Sequence, residues 1–167
     1  MKLTYGLISR LTNGRHILMW DFDEVELSTI EEELKTTQQL CGLSDIYIVN
    51  TSMSVEGDKR YSAVCFYDTN AFSAFDIVSD SRLIDTRFRA QSLSRGYFTI
   101  RIGPKNGQYP KLEKVLHSDK VCFDELAPKL QFVFYRPDKY GYYDDLPVNG
   151  ELRLWMIDEL REVLEIV

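Results

Sequence analysis

Hydrophobic and polar positions change period several times along the chain, and each change marks an element. Leu3 to Leu11 has weak strand character, Asn13-Gly14 is a hairpin-turn signal, and His16-Ile-Leu-Met-Trp20 is an unbroken apolar run. These residues predict a hairpin whose second strand runs to about Phe22. Ser28 followed by Glu31 has capping-box spacing, Ile30, Leu34 and Cys41 mark an apolar face, and Gly42 supplies a stop, so a helix is expected over roughly Thr29 to Cys41. Asp45 to Asn50 (DIYIVN) and Arg60 to Tyr67 (RYSAVCFY) read as strands on either side of the polar loop Thr51 to Lys59. In Asn70 to Ser79, Phe72, Phe75 and Val78 fall on one helical face.

Further on, Gly96 to Ile102 (GYFTIRI) is β-rich and ends at the breaker pair Gly103-Pro104, and Gln131 to Tyr135 (QFVFY) is the next expected strand. A loop rich in tyrosine and aspartate, Arg136 to Pro147, precedes a terminal helix. Its apolar stripe is Leu152, Trp155, Met156, Leu160, Val163 and Leu164. Strands and helices are interspersed without a regular βα repeat, which predicts an α+β fold with a C-terminal amphipathic helix. A length of 167 residues with no internal repeat or linker predicts a single domain over residues 1–167.

Composition adds two points. No stretch approaches the ~20 apolar residues of a membrane span, and Met1 to Arg15 lacks the apolar run of a secretory signal, so a cytoplasmic protein without a membrane partner is expected. Cys41, Cys65 and Cys122 are widely spaced beside apolar residues, which predicts buried free thiols. The formal charge of −6 is uneven. Arg82 to Lys114 holds eight basic and two acidic residues, a local +6 that leaves −12 elsewhere. Screening over about 8–10 Å makes such a local surface able to gather phosphates despite the acidic whole.

Asp21 and Asp23 carry the strongest chemical signal. Residues i and i+2 of a strand project from one face, so both carboxylates can reach one or two divalent cations while Phe22 turns into the core. The apolar run before them sets the pair at the end of a rigid strand, and hard oxygen ligands suit Mg²⁺ or Mn²⁺. The alternative is a pair of acids closing a strand beside the solvated Glu24 and Glu26. A second constellation runs from Asp85 through Arg87, Arg89 and Arg95 to Arg101 and Lys105. Thr99 and Arg101 share a strand face and Lys105 follows the turn, so Arg101 and Lys105 can converge on a triphosphate, with Asp85 a third carboxylate. The alternative is a charged, exposed strand. His16 and His117 are isolated, and no glycine-rich phosphate cradle is present. Tyr135, Tyr140, Tyr142 and Tyr143 are candidates for stacking on bases, against the favoured alternative of packing in the core or a loop.

The order of these features resembles the archaeo-eukaryotic primase superfamily, over about Ile17 to Lys105. HILMWDFD (His16 to Asp23) is similar to that family's apolar strand ending in an acid-x-acid motif, Ser52 to Phe66 to its serine/glycine loop entering a strand, and Asp85 to Lys105 to its late acid and basic strand. The resemblance implies an RRM-like mixed or antiparallel sheet with helices packed on one face, and template-dependent nucleotide transfer with Mg²⁺ or Mn²⁺. It implies metal ligation by Asp21, Asp23 and Asp85, which would be the catalytic residues, and nucleotide or phosphate contacts from Ser52, Ser62, Arg101 and Lys105. Nucleoside triphosphate, single-stranded DNA and replication proteins are the implied partners. The family's histidine has no counterpart, since Tyr61-Ser62 stands in its place. Two other readings remain open. DFDEV (Asp21 to Val25), Thr51, Lys105 and Asp144-Asp145 also resemble a haloacid-dehalogenase-like phosphatase, and the same core without catalysis would make a replication-accessory or interaction protein.

Overall fold

The computed structural model describes residues 3–52, 59–120, 123–136 and 146–167. The strand Thr4–Ile8 (β1) is buried at every position, so both of its edges need partners. It finds them in two later strands, Thr99–Arg101 and Gln131–Tyr135, which pair with it antiparallel on either side. His16–Asp23 (β2), also apolar until its last residues, pairs instead with Arg60–Thr69. The expected hairpin is therefore only a corner. Asn13-Gly14 does turn the chain, but β1 and β2 enter different sheets, and the residues just past β1 meet β2 at the isolated bridge Arg10–His16 and the Ile17 N–H to Ser9 carbonyl bond. β1 thus lies inside its sheet between β5 and β7, whereas β2 is the edge strand of the other sheet.

The helix Leu27–Cys41 (α1) follows β2. It begins two residues before the expected start, with Glu26 in the N-cap position and no side-chain cap, so Ser28 and Glu31 do not form the capping box. Gly42 ends it as expected, in the left-handed conformation with its N–H on the Gln38 carbonyl. Ile46–Asn50 (β3) and Arg60–Thr69 (β4) come next, then the helix Ala71–Ser79 (α2), whose N-cap Asn70 accepts from Ser73 N–H. Phe72 is not on the packed face: it is 82% exposed, while Ala74 and Val78 are buried. Thr86–Arg95 (α3) is a helix in a stretch to which the sequence assigned no element. Asp85 caps its start and Gly96 its end, and the strand after it is shortened to Thr99–Arg101 (β5).

The remaining elements are Lys111–Leu116 (β6), the single turn Phe123–Leu126 (α4) with a 3₁₀ turn at Ala127–Lys129, Gln131–Tyr135 (β7), Leu146–Val148 (β8) and Glu151–Val163 (α5). The fold is α+β with a C-terminal helix, and its strands form two antiparallel four-stranded sheets ordered β5-β1-β7-β8 and β2-β4-β3-β6. The stretch β2-α1-β3-β4 pairs as β2-β4-β3, the order of an RRM-like β-α-β-β unit; the other sheet is an addition to the expected architecture. One hydrophobic cluster, including Leu7, Trp20, Ile48, Phe98, Phe132 and Leu160, joins both sheets. On α5 the buried stripe is Met156, Ile157 and Leu160, whereas Leu152 and Trp155 are 43% and 47% exposed. Cys65 is buried and Cys41 is exposed, so the buried-thiol expectation fails for Cys41; Cys122 lies outside the described residues. No helix among the described residues is long and apolar enough to cross a membrane.

Candidate functional site

Asp21 stands directly opposite Ser62 in the β2–β4 ladder, and Asp23 opposite Arg60. The Ser62 hydroxyl donates to Asp21 Oδ1 at 2.9 Å, while Arg60 Nε lies 3.7 Å from Asp23 Oδ1. Ser62 is 3% exposed. It thus orients the aspartate rather than presenting a free hydroxyl. The third acid arrives through the backbone: Asp85 N–H donates to the Asp21 carbonyl at 2.8 Å, which ties the start of α3 to the end of β2. The Asp85 carboxylate also caps α3, accepting from Phe88 N–H at 3.3 Å.

Asp21, Asp23, Asp85 and Ser62 line one cleft together with Arg101 and Lys105. Six of the seven residues singled out in the sequence therefore meet. Ser52 does not line the cleft; its hydroxyl accepts from Arg60 N–H at 3.2 Å, and the neighbouring Thr51 lines the cleft instead. The cleft encloses about 150 Å³, and at its rim the Asp23 and Arg60 side chains are about half exposed. Its walls come from both sheets and from α3, which supplies Phe88, Gln91 and Arg95.

Burial pushes the Asp21 carboxyl up to about 6, with the charges of Asp85 and Asp23 adding to the rise and the Ser62 hydrogen bond and Arg60 opposing it. Arg101 is more constrained than a simple phosphate contact. Its Nη1 donates to the carbonyls of Gly103 (2.7 Å) and Gln108 (3.1 Å), and its Nη2 to that of Thr51 (3.1 Å). Burial pulls its pKa down, opposed by Tyr135 and Asp21. The guanidinium thereby clamps the turn carrying Lys105 onto the end of β3. That turn is closed by reciprocal backbone bonds between Lys105 and Gln108, with Asn106 and Gly107 both at positive φ.

The donor set fits Mg²⁺ or Mn²⁺ in part. Among the described residues no three His, Cys, Asp or Glu side chains close on a common point at metal-ligand distance. Mg²⁺ characteristically takes one or two protein carboxylates and completes its shell with water and substrate phosphates. Asp21 and Asp23 supply that minimum.

Arg60, Phe88 and Gln91 also line the cleft and were not among the sequence candidates, whereas Arg95 and Thr99 come from the basic constellation and Tyr135 from the base-stacking candidates. For α3 the signal was present, since Asp85 and Gly96 bracket a run with Gln91 and Arg95 four apart. Of the other expected groups, His16 is buried against Ser9 Oγ (3.0 Å) and His117 Nδ1 sits 3.5 Å from Asp45 Oδ2, both away from the cleft. Tyr140, Tyr142, Tyr143, Asp144 and Asp145, and the loop from Met53 to Asp58, lie outside the described residues. No protein-family model, no curated protein and no solved structure matches this chain.

Proposed function

We propose that this cleft binds a nucleoside triphosphate with a divalent cation, and that the protein transfers the nucleotidyl group in the manner of the primase superfamily its sequence resembles. One observation carries the reading: acids from β2 and the start of α3 (Asp21, Asp23, Asp85) share a single cleft with Arg95, Arg101 and Lys105 from α3, β5 and the turn beyond it. A triphosphate needs both signs at once. The cation neutralises its charge and stabilises in-line displacement, and the basic side chains meet the oxygens that the cation leaves over.

The chain's own residues have separable tasks. Asp21, oriented by Ser62, and Asp23 hold the cation; Lys105 reaches phosphate; Arg101 fixes the turn that presents Lys105. Arg60 occupies the strand position just before Tyr61-Ser62, and lines the cleft near the place where the resembled family has its histidine. A phosphatase of the haloacid-dehalogenase type needs a parallel doubly wound sheet, whereas every pairing between the described strands is antiparallel.

The test is incorporation of labelled ribo- and deoxyribonucleotides on single-stranded and primed DNA with Mg²⁺ or Mn²⁺. Incorporation that disappears in Asp21→Ala/Asp23→Ala supports transfer. Absence of incorporation by the folded wild type refutes transfer and leaves a binding module without catalysis.

A further inference from the structure

Gly6 occupies the middle of β1 with β5 on one edge and β7 on the other. Its φ is not in the left-handed region, so conformation does not call for glycine. Space does. A Cβ there would lie 2.7 Å from the Ile100 carbonyl oxygen, 2.9 Å from Tyr135 Cε1 and 3.0 Å from Thr99 Cγ2. The missing side chain lets Thr99 and Tyr135 close on each other across the central strand, Thr99 opposite Ile8 and Tyr135 opposite Thr4. Both residues line the cleft.

The cleft is therefore chemically polarised. Charged groups gather around Asp21, Asp23 and Lys105, while the wall from the β1 sheet offers an aromatic ring laid over a glycine and a threonine. The Thr99 hydroxyl is shut off from solvent with no hydrogen-bond partner among the described residues. Hydroxyls buried in folded proteins are normally paired, so this one stands out beside a ligand cleft. Tyr135 is 8% exposed, so it offers the ligand an apolar ring edge rather than a stacking face, whereas a hydroxyl makes a directional contact.

We propose that Gly6, Thr99 and Tyr135 form the subsite for the nucleoside part of the ligand, with Tyr135 packing against it and the Thr99 hydroxyl bonding one of its polar groups. This rests on the reading of the charged wall as a triphosphate site. It adds a residue that separates nucleotides from bare phosphate chains.

The experiment is calorimetric titration, in Mn²⁺, of a non-hydrolysable nucleoside triphosphate and of inorganic tripolyphosphate. Thr99→Val keeps the shape and removes the hydroxyl; its folding is verified by its melting temperature. It weakens the nucleotide by about tenfold, the loss of one hydrogen bond, and leaves tripolyphosphate affinity as in wild type. Thr99→Ser restores nucleotide affinity, and Tyr135→Leu again weakens the nucleotide selectively. Unchanged nucleotide binding in Thr99→Val, or equal weakening of both probes, overturns the subsite while the triphosphate reading stands. Wild-type protein that binds neither probe overturns both.

Discussion

Asp21 holds its proton more tightly in the fold than in an unfolded chain, up to about 6 against an ordinary 3.8. The sign of the consequence follows. Its stabilising contribution is complete below pH 3.8, declines as pH rises, and is gone above about pH 6, so the ionised carboxylate at neutral pH costs the fold ~3 kcal/mol. Asp21→Asn keeps an oxygen for Ser62 and removes the charge. It is expected to be more stable than wild type by about 1–2 kcal/mol at pH 7.5, or roughly 4 °C in melting temperature, with the difference vanishing near pH 4. Thermal melts at the two pH values check this, and a variant less stable at pH 7.5 contradicts it. At this scale the sequence was informative: spacing two apart on an apolar strand placed Asp21 and Asp23 together. It was silent on Ser52 against Thr51, because which residue of a loop faces a cleft depends on the loop's path, and that path is set by Arg101 reaching the Thr51 carbonyl.

Among the elements, α3 decides the shape of the site and was missed, as were the strands β6 and β8 and the short α4. The residues of α3 are strongly polar, with only Phe88 and Ser92 buried, so apolar periodicity gave no signal; the caps at Asp85 and Gly96 did. The turn at Asn106-Gly107 was equally legible from its residue types and was passed over in favour of Gly103-Pro104. Asp85 has two duties, capping α3 and adding negative charge beside Asp21, and substitutions separate them. Asp85→Asn retains a good cap and is expected to leave stability close to wild type, whereas Asp85→Ala loses about 1 kcal/mol. Urea titrations of both measure the difference. Equal stability of the two variants removes the cap from the account. Helix α1 shows the opposite case: a capping-box spacing at Ser28 and Glu31 was present in sequence, yet the helix starts earlier, at Leu27.

The whole molecule depends on how its two sheets are joined. Ser9 Oγ accepts from Phe98 N–H at 2.9 Å and hydrogen-bonds His16 Nδ1 at 3.0 Å, which fastens β1, β2 and the approach to β5 at one buried point. Burial lowers the His16 pKa, with Arg10 adding to the effect. Ser9→Ala leaves a buried N–H unpaired and is expected to cost about 2 kcal/mol, or roughly 4–8 °C. A single unfolding transition is expected to persist, because one core spans both sheets. Two separate transitions in calorimetry would contradict that joint. The pairing of the sheets was not readable from local patterns, since an apolar strand does not name its partner; β1 and β2 looked like a hairpin and became neighbours in different sheets. The basic window was also divided by the fold: Arg95, Arg101 and Lys105 face the cleft, while Lys111 and Lys114 lie on β6 at the far edge of the other sheet.

The central claim is that this cleft takes a divalent cation and a triphosphate together, and the melting temperature with and without Mn²⁺ plus nucleoside triphosphate tests it most directly. The wild type is expected to gain about 5–10 °C at saturating ligand, and Asp21→Asn/Asp23→Asn to gain nothing over its own ligand-free value. Equal gains in the two proteins would place the ligand elsewhere and remove the aspartate pair from the site.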